Sequence, residues 1–292
     1  MGPLSVLLQD SIASLSDLEI LDLFREGRRL SDIDHPFAEG QVILITDDTV
    51  AKVSQDVDEE VTYPSEAFAL DVISQHTTIP VPRIRKVVKR RHGDYLIVMD
   101  LIQGRQLATL WPAMTSTERA NVVEKLRDYV QQLRKISIPQ RQIPGPLDRD
   151  LTPRTCESPP VFGQVVSSRG PFASYADLEA FFTDRRRKMM NYTGVDITPF
   201  NASYPLVLTH QDLNPRNIIV GEDDTLSIVD WSWAGFYPEW WESVAMKAQA
   251  ENEEAVQGSR DPSWEAIIPQ VCGEYMDMED WLASVEQSFS WS

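Results

Sequence analysis

The sequence predicts an α+β chain built in two parts: a small antiparallel sheet with few helices, then a larger and mainly helical part. Three observations predict this. Short apolar runs of strand length, separated by turn residues, fill the stretch from Val42 to Gly104. From Thr115 the apolar spacing changes to that of a long helix. Between Pro205 and Trp231 three short apolar runs flank loops that concentrate polar residues.

The elements follow in order. Ser16-Asp-Leu-Glu19 is a capping box ahead of Ile20, Leu21, Leu23 and Phe24, and Gly27 ends that helix. Val42–Ile45, the turn Asp47-Asp48 and Thr49–Val53 form a hairpin with Lys52 inside its second strand. A helix begins near Pro64-Ser65-Glu66, where proline and an acidic first turn are both favourable, and turns Ala69, Leu70 and Ile73 inward. Tyr95–Ile102 is an apolar strand, and the connection through Gly104 links the two parts. We therefore expect one lobe over 1–104 and a second over 105–292.

In the second lobe, Thr115-Ser-Thr-Glu118 is another capping box. It opens a helix with Val122, Val123, Leu126, Tyr129, Val130, Leu133 and Ile136 on one face. Pro139 to Gly170 is rich in Pro, Gly and Ser without a period and reads as an extended loop. Asp177 to Met190 reads as a helix whose basic run, Arg185–Lys188, is expected to be solvated. Pro205–Leu208, Asn217–Val220 and Leu226–Val229 read as strands, with a turn at Gly221–Asp224. Internal repeats are absent from the sequence.

The chemistry concentrates in Leu208–Val220 and Ser227–Trp231. His210, Asp212 and Asn217 form H-x-D-x-x-x-x-N, and Asp230 follows Asn217 by 13 positions on the next strand. Phosphoryl transfer needs a positioned acceptor hydroxyl and neutralised phosphate charge. Asp212 suits the base that takes or orients the acceptor proton. Asn217 and Asp230 offer oxygens to Mg²⁺, which keeps several waters and needs few protein ligands. His210 is placed with the catalytic loop, as a scaffold for its backbone rather than a proton shuttle. Lys52 is the candidate for the ATP phosphates and Glu66 its partner, with Glu59 and Glu60 as rivals. The backbone from Asp100 to Ile102 is the candidate adenine contact. Neither G-x-x-x-x-G-K-[ST] nor G-x-G-x-x-G occurs, so a phosphate-covering loop would lie at Phe37–Val42 with Gly40 alone.

On these residues the chain resembles the aminoglycoside phosphotransferase family, related to choline and fructosamine kinases, and most of all its branch in filamentous fungi. The resemblance is carried by Val50-Ala-Lys52, Ile79–Arg83, Ile97–Gly104, Thr209–Ile218 and Ile228–Glu242. It implies a bilobal protein-kinase-like fold, ATP and Mg²⁺. It implies Asp212 as base, Asn217 and Asp230 as metal ligands, and Lys52 on the phosphates with Glu66 behind it. Two positions depart from the family pattern. Gln211 stands where relatives carry Gly, and Ser232 where they often carry an acid.

Acceptor residues are harder to name. Four of the eight Trp lie between Trp231 and Trp241. Most are expected to pack, with Trp233 among those left at a pocket where it could meet an ammonium group. Family resemblance implies carboxylates from the C-terminal part, with Glu239, Glu242, Glu251, Glu253 and Glu254 as candidates.

Composition bounds the partners. A net charge of −18 and a pI near 4.6 argue against nucleic-acid and anionic-membrane binding and favour a cationic or neutral small molecule. Two cysteines, Cys156 and Cys272, allow no cysteine metal cluster and imply no disulfide framework. A reducing cytoplasm is the expected compartment. The N-terminus lacks a basic-then-apolar leader, Val6 breaks the myristoylation pattern after Met1-Gly2, and no apolar run reaches membrane-spanning length.

The expected activity is an ATP- and Mg²⁺-dependent transfer of phosphate to a hydroxyl of an amino sugar, amino alcohol or secondary metabolite, by a monomer or homodimer. Two alternatives stay open: a pseudoenzyme that holds nucleotide without transfer, and a kinase fold repurposed for another step in secondary metabolism.

Overall fold

The computed structural model describes residues 12–29, 42–54, 56–58, 61–90, 94–138, 143–157, 159–163, 165–257 and 261–290. The residues expected to cover the phosphates, 37–41, lie outside these, as do Glu59 and Glu60 and the side chains of Glu253 and Glu254.

The first part is a five-stranded antiparallel sheet of β1 (Arg28–Arg29), β2 (Val42–Thr46), β3 (Thr49–Val53), β4 (Ile84–Lys89) and β5 (Tyr95–Asp100), in the order β1-β2-β3-β5-β4. Helix α1 (Asp17–Glu26) starts on both bonds of the Ser16–Glu19 capping box. It stops at Gly27 for a reason different from the expected one. Gly27 has φ −67°, not a left-handed turn. A Cβ there would lie 2.3 Å from the Ile43 side chain, so glycine permits close approach of the helix end to β2.

Strand alternation divides β3 between two cores. Ala51 faces α1 with Ile20, Ile43, Leu96 and Val98. Val50 faces the opposite side with Ile97, Met99 and α2 (Ser65–His76), which contributes Ala67, Ala69, Leu70 and Ile73. Lys52, two residues after Val50, therefore projects toward α2 and is buried there.

After Asp100 the chain passes through Gly104 into β6 (Arg105–Gln106). Gly104 has φ +149°, and a Cβ would meet the Val220 carbonyl oxygen at 2.4 Å. Only glycine lets the link press this closely on the second part. Helix α3 (Leu107–Leu110) and a 3₁₀ turn lead to α4 (Ser116–Lys135), which carries the Thr115–Glu118 capping box. Its Val122, Val123, Leu126, Val130 and Leu133 are buried. With Trp111, Leu213, Ile228 and Trp231 they continue the core that begins under α2.

Three short antiparallel strands, β6, β9 (Ile218–Val220) and β10 (Leu226–Ile228), form one sheet of the second part. Another joins β7 (Gly145–Pro146), β8 (Leu206–Thr209) and β11 (Gly235–Pro238). Helices α5 (Pro159–Phe162), α6 (Tyr175–Thr193), α7 (Trp241–Gln257), α8 (Pro262–Glu265), α9 (Ile268–Cys272) and α10 (Met276–Val285) complete the order. A second core gathers Phe162, Phe182, Phe200, Tyr237, Trp240, Trp241 and Trp281.

Two expectations need correction. The stretch 139–170 is not simply an extended loop. It contributes β7 and α5, and it buries Leu147, Asp148, Arg154, Cys156, Glu157 and Phe162. Its Pro and Gly shape turns that carry core side chains, which lack periodicity because no long element carries them. The basic run Arg185–Lys188 within α6 is not solvated throughout. Arg185 is buried and donates to the Ser288 carbonyl at 2.8 Å. Arg186 donates to the Ile197 carbonyl, and Arg187 and Lys188 pair with Asp184.

No helix among the described residues is long and apolar enough to cross a membrane.

Candidate active site

The strand position of Lys52 and the first turn of α2 bring Lys52 and Glu66 together across 14 residues of sequence. Both Glu66 oxygens lie within 3.0 Å of the Lys52 Nζ. Asp230, delivered just after β10, reaches the same Nζ with Oδ1 at 2.6 Å. Burial opposes charge on Lys52, but Asp230 and Glu66 outweigh it and hold the lysine protonated. Asp230 is likewise pushed up by burial and pulled down further by Lys52, to about 2, so it is ionised. A Ser232 Oγ bond of 2.9 Å to Asp230 Oδ1 fixes the carboxylate further.

The loop that carries His210, Asp212 and Asn217 leaves β8 at Thr209. Its three successive amides, at His210, Gln211 and Asp212, are each taken by a side chain. Glu242, at the start of α7, accepts from His210 N at 2.6 Å and from Gln211 N at 3.1 Å. The His210 Nδ1 accepts from Asp212 N at 3.1 Å, which leaves Nε2–H to donate to the Val229 carbonyl at 3.1 Å. Burial holds His210 down at about 4, so the ring is neutral and this tautomer persists.

Gln211 adopts φ +67°, a left-handed backbone that glycine enters without strain. Its side chain is fully buried and joins three segments. The amide nitrogen donates to the Trp233 carbonyl beyond Asp230, and the amide oxygen accepts from Trp241 Nε1 at 2.9 Å. Asp230 itself has φ +62°, so strained backbone lies on both loops.

Asp212 is half-buried and held from two sides. Asn214 Nδ2 donates to one carboxylate oxygen and Asn217 Nδ2 to the other, each at 2.7 Å. Asn217 Nδ2 also reaches the Asp212 carbonyl at 2.9 Å. Burial, then the nearby Asp230, push the Asp212 carboxyl up to about 7. That places it where a group can exchange a proton near neutral pH. Arg216, in the 3₁₀ turn between Asp212 and Asn217, interacts electrostatically with both Asp212 and Asp230. Arg216 is not among the residues that the sequence singles out. Its one signal is position: it immediately precedes the Asn of the motif.

A divalent cation fits the donors present. Both Asn217 Nδ2 bonds go to Asp212, which turns the amide oxygen away as a ligand. Lys52 and Ser232 engage Oδ1 of Asp230, leaving Oδ2 for the cation. Among the described residues no group of three or more His, Cys, Asp or Glu could hold a metal ion. An Asn–Asp pair supplemented by waters and phosphate oxygens instead suits hard, hydrated Mg²⁺.

Other site expectations require correction. His210 is not among them: both ring nitrogens are engaged with backbone, as a scaffold for the loop requires. Glu242 is 2% exposed and committed to backbone amides, so it is withdrawn as an acceptor contact. Glu239 pairs with Arg134 at 3.3 Å. Trp231, Trp240 and Trp241 are fully buried, whereas Trp233 is partly exposed. In the link, the Asp100 amide donates to the Arg83 carbonyl and the Leu101 amide to the Asp48 carbonyl. The Asp100 carboxylate pairs with Arg85 at 2.6 Å. Asp100 is thus tied into the small sheet through both its amide and its carboxylate.

The family model "Phosphotransferase enzyme family" matches residues 37–258. No curated protein sequence matches the chain. Among solved structures, that of the GDP and kanamycin complex of APH(2")-IIia is similar, with TM-score 0.51 at 15% identity over 92% of this chain and 86% of that one. The streptomycin–ATP–APH(2")-IIa ternary complex is also similar, with TM-score 0.51 at 13% identity over 96% of this chain and 95% of that one. These likenesses show the bilobal kinase-like fold. With its family match covering most of the sequence, the chain belongs to the phosphotransferase enzyme family.

Proposed function

We propose that this protein transfers a phosphoryl group from ATP, with Mg²⁺, to a hydroxyl of a small molecule such as an amino sugar, an amino alcohol or a secondary metabolite. The observation that carries the reading is the convergence of Lys52 with both Glu66 and Asp230, alongside Asp212 braced by Asn217. In a phosphoryl-transfer site, positioning and charge neutralisation do most of the catalytic work.

In this reading Lys52 binds the nucleotide phosphates and Glu66 holds it in place. Ile102 offers its amide to the base. Asp212 orients the acceptor hydroxyl and receives its proton as the oxygen attacks the terminal phosphorus. Asn217 and Asp230 hold Mg²⁺, which when bound offsets phosphate charge. Arg216 adds positive charge beside the carboxylates. The net charge of −18 supports a cationic or neutral acceptor over an anionic one. Trp233, partly exposed next to the metal loop, and Glu239 are the remaining candidates for the acceptor side.

The test is thermal stabilisation by ATP and by GTP, each with and without Mg²⁺, on the wild type and Asp230→Ala. Mg²⁺-dependent stabilisation by a nucleotide, absent from Asp230→Ala, is the expected result. A folded wild type that responds to neither nucleotide would refute the assignment. GTP belongs in the test because the two structural relatives were solved with GDP and with ATP.

A further inference from the structure

Residues between Lys52 and Glu66 are held by partners distant in sequence. Helix α2 lacks a side-chain cap of its own, because Pro64 occupies the cap position. Its first amide, Ser65 N, donates instead to Asp56 Oδ1 at 3.0 Å. Two residues on, Asp58 accepts from Thr155 twice, from N at 3.1 Å and from Oγ1 at 2.7 Å. Thr62 Oγ1 donates to Asp150 Oδ2 at 2.6 Å, and the Arg149 guanidinium stacks 4.7 Å from the Tyr63 ring. These contacts span 97 and 88 residues of sequence, so local helix formation does not account for them.

The partners belong to one stiff turn. Asp148 accepts from Asp150 N at 2.8 Å, Thr152 N at 2.9 Å and Arg154 Nε at 2.6 Å. Asp148 and Arg154 are both buried, so the turn is braced from within as well as by its contacts to Asp58 and Thr62. Phe68, one helical turn into α2, shares a shallow apolar crevice with Pro146, Leu147 and Leu151 of the same stretch.

A lysine–glutamate pair serves phosphate binding only when the helix bearing the glutamate is in place. We propose that Asp58 and Thr155 are positioning residues for this pair: the turn 148–155 grips Asp58, Thr62 and Tyr63, sets α2 against β3, and thereby keeps Glu66 on Lys52. The proposal rests on the phosphotransfer reading for its consequence but not for its geometry. It makes the assembled Lys52–Glu66 arrangement depend on residues of the second part of the chain as well as on the first.

The experiment compares the full-length wild type with Thr155→Val, Thr155→Ser and Asp58→Asn. Hydrogen exchange is followed in Ser65–His76 and, as an internal reference, in Ser116–Lys135. The rate of Lys52 acylation by acetic anhydride and the Kd for Mg·ATP are measured on the same proteins. Losing a bond to a charged group should speed exchange in Ser65–His76 by about tenfold and leave Ser116–Lys135 nearly unchanged. Lys52 should acylate faster and Mg·ATP should bind more weakly in Thr155→Val and Asp58→Asn. Thr155→Ser, which retains the hydroxyl, should behave as wild type. Exchange that rises equally in both helices, or Lys52 acylation that is unchanged, would reduce these bonds to a general staple and overturn the proposal. If the wild type binds no nucleotide while exchange and acylation respond as expected, the positioning role stands and the phosphotransfer reading fails.

Discussion

Gln211 gives the sharpest test of how the site is supported, because two opposing effects meet in one side chain. Its φ of +67° costs a non-glycine residue roughly 1 kcal/mol. Gln211→Gly relieves that cost but leaves the Trp233 carbonyl and the buried Trp241 indole N–H without their partner. Each unmet group costs about 1–3 kcal/mol, so the net loss should be about 3 kcal/mol. Gln211→Ala keeps the strain and loses the same bonds, and should fall about 1 kcal/mol further. At roughly 2–4 °C per kcal/mol for a chain of this order of size, glycine should lower Tm by about 6–12 °C and alanine by about 2–4 °C more. The backbone bond from position 211 to Glu242 survives in both variants, so it does not contribute to the difference. Thermal and urea unfolding at one pH measure the order wild type, then glycine, then alanine. Glycine at or above wild type would refute the bridging role, and alanine equal to glycine would refute the left-handed backbone.

Asp212→Ala should lower kcat by about 10²–10⁴-fold with nucleotide binding retained, and near-normal turnover would remove the proposed base. Gly104→Ala should cost at least about 2 kcal/mol and weaken nucleotide binding, because a Cβ 2.4 Å from the Val220 oxygen forces the link off the second part; wild-type urea stability would contradict this. Glu242 makes a pH prediction. Burial raises its carboxyl from 4.5 to about 7, so between these values the folded protein holds a proton that the unfolded chain has released. Stability from this group is therefore full below about 4.5, declines as pH rises, and is lost above about 7. Glu242→Gln should remove a slope of up to about 1.4 kcal/mol per pH unit across that window. Parallel pH–stability profiles for the two proteins would refute it.

The fold was legible where a local signal suffices. Both capping boxes start helices, because the reciprocal bonds need only residues three apart. The hairpin holding Lys52 and the apolar strand Tyr95–Asp100 pair directly, and alternation alone aims Lys52 at Glu66. Elements defined by their partners were not legible. Gly145–Pro146 and Gly235–Pro238 are short strands without a residue period, and they exist because β11 takes β7 on one edge and β8 on the other. Arg185 was misread for a related reason: a basic run looks solvated until the C-terminal turn at Ser288 comes down over it.

The same distinction separates the reacting groups from their supports. H-x-D-x-x-x-x-N is readable because Asp212 and Asn217 lie on one continuous loop and touch each other. Glu242 is not, since its ligands are the amides of His210 and Gln211, and an amide carries no residue identity. The two positions that depart from the family pattern make the point more strongly. Taken singly, Gln211 is a glycine replaced by a bulky residue and Ser232 is an acid lost near a metal. In the fold they act on the same pair of loops. Gln211 crosses from the loop of Asp212 to the carbonyl of Trp233, and Ser232, the residue before Trp233, closes on Asp230. The side chain that makes the left-handed turn costly is also the one that ties that turn to the loop of Asp230. The two departures thus form one support in which the strain at 211 is balanced by bonds that glycine could not make.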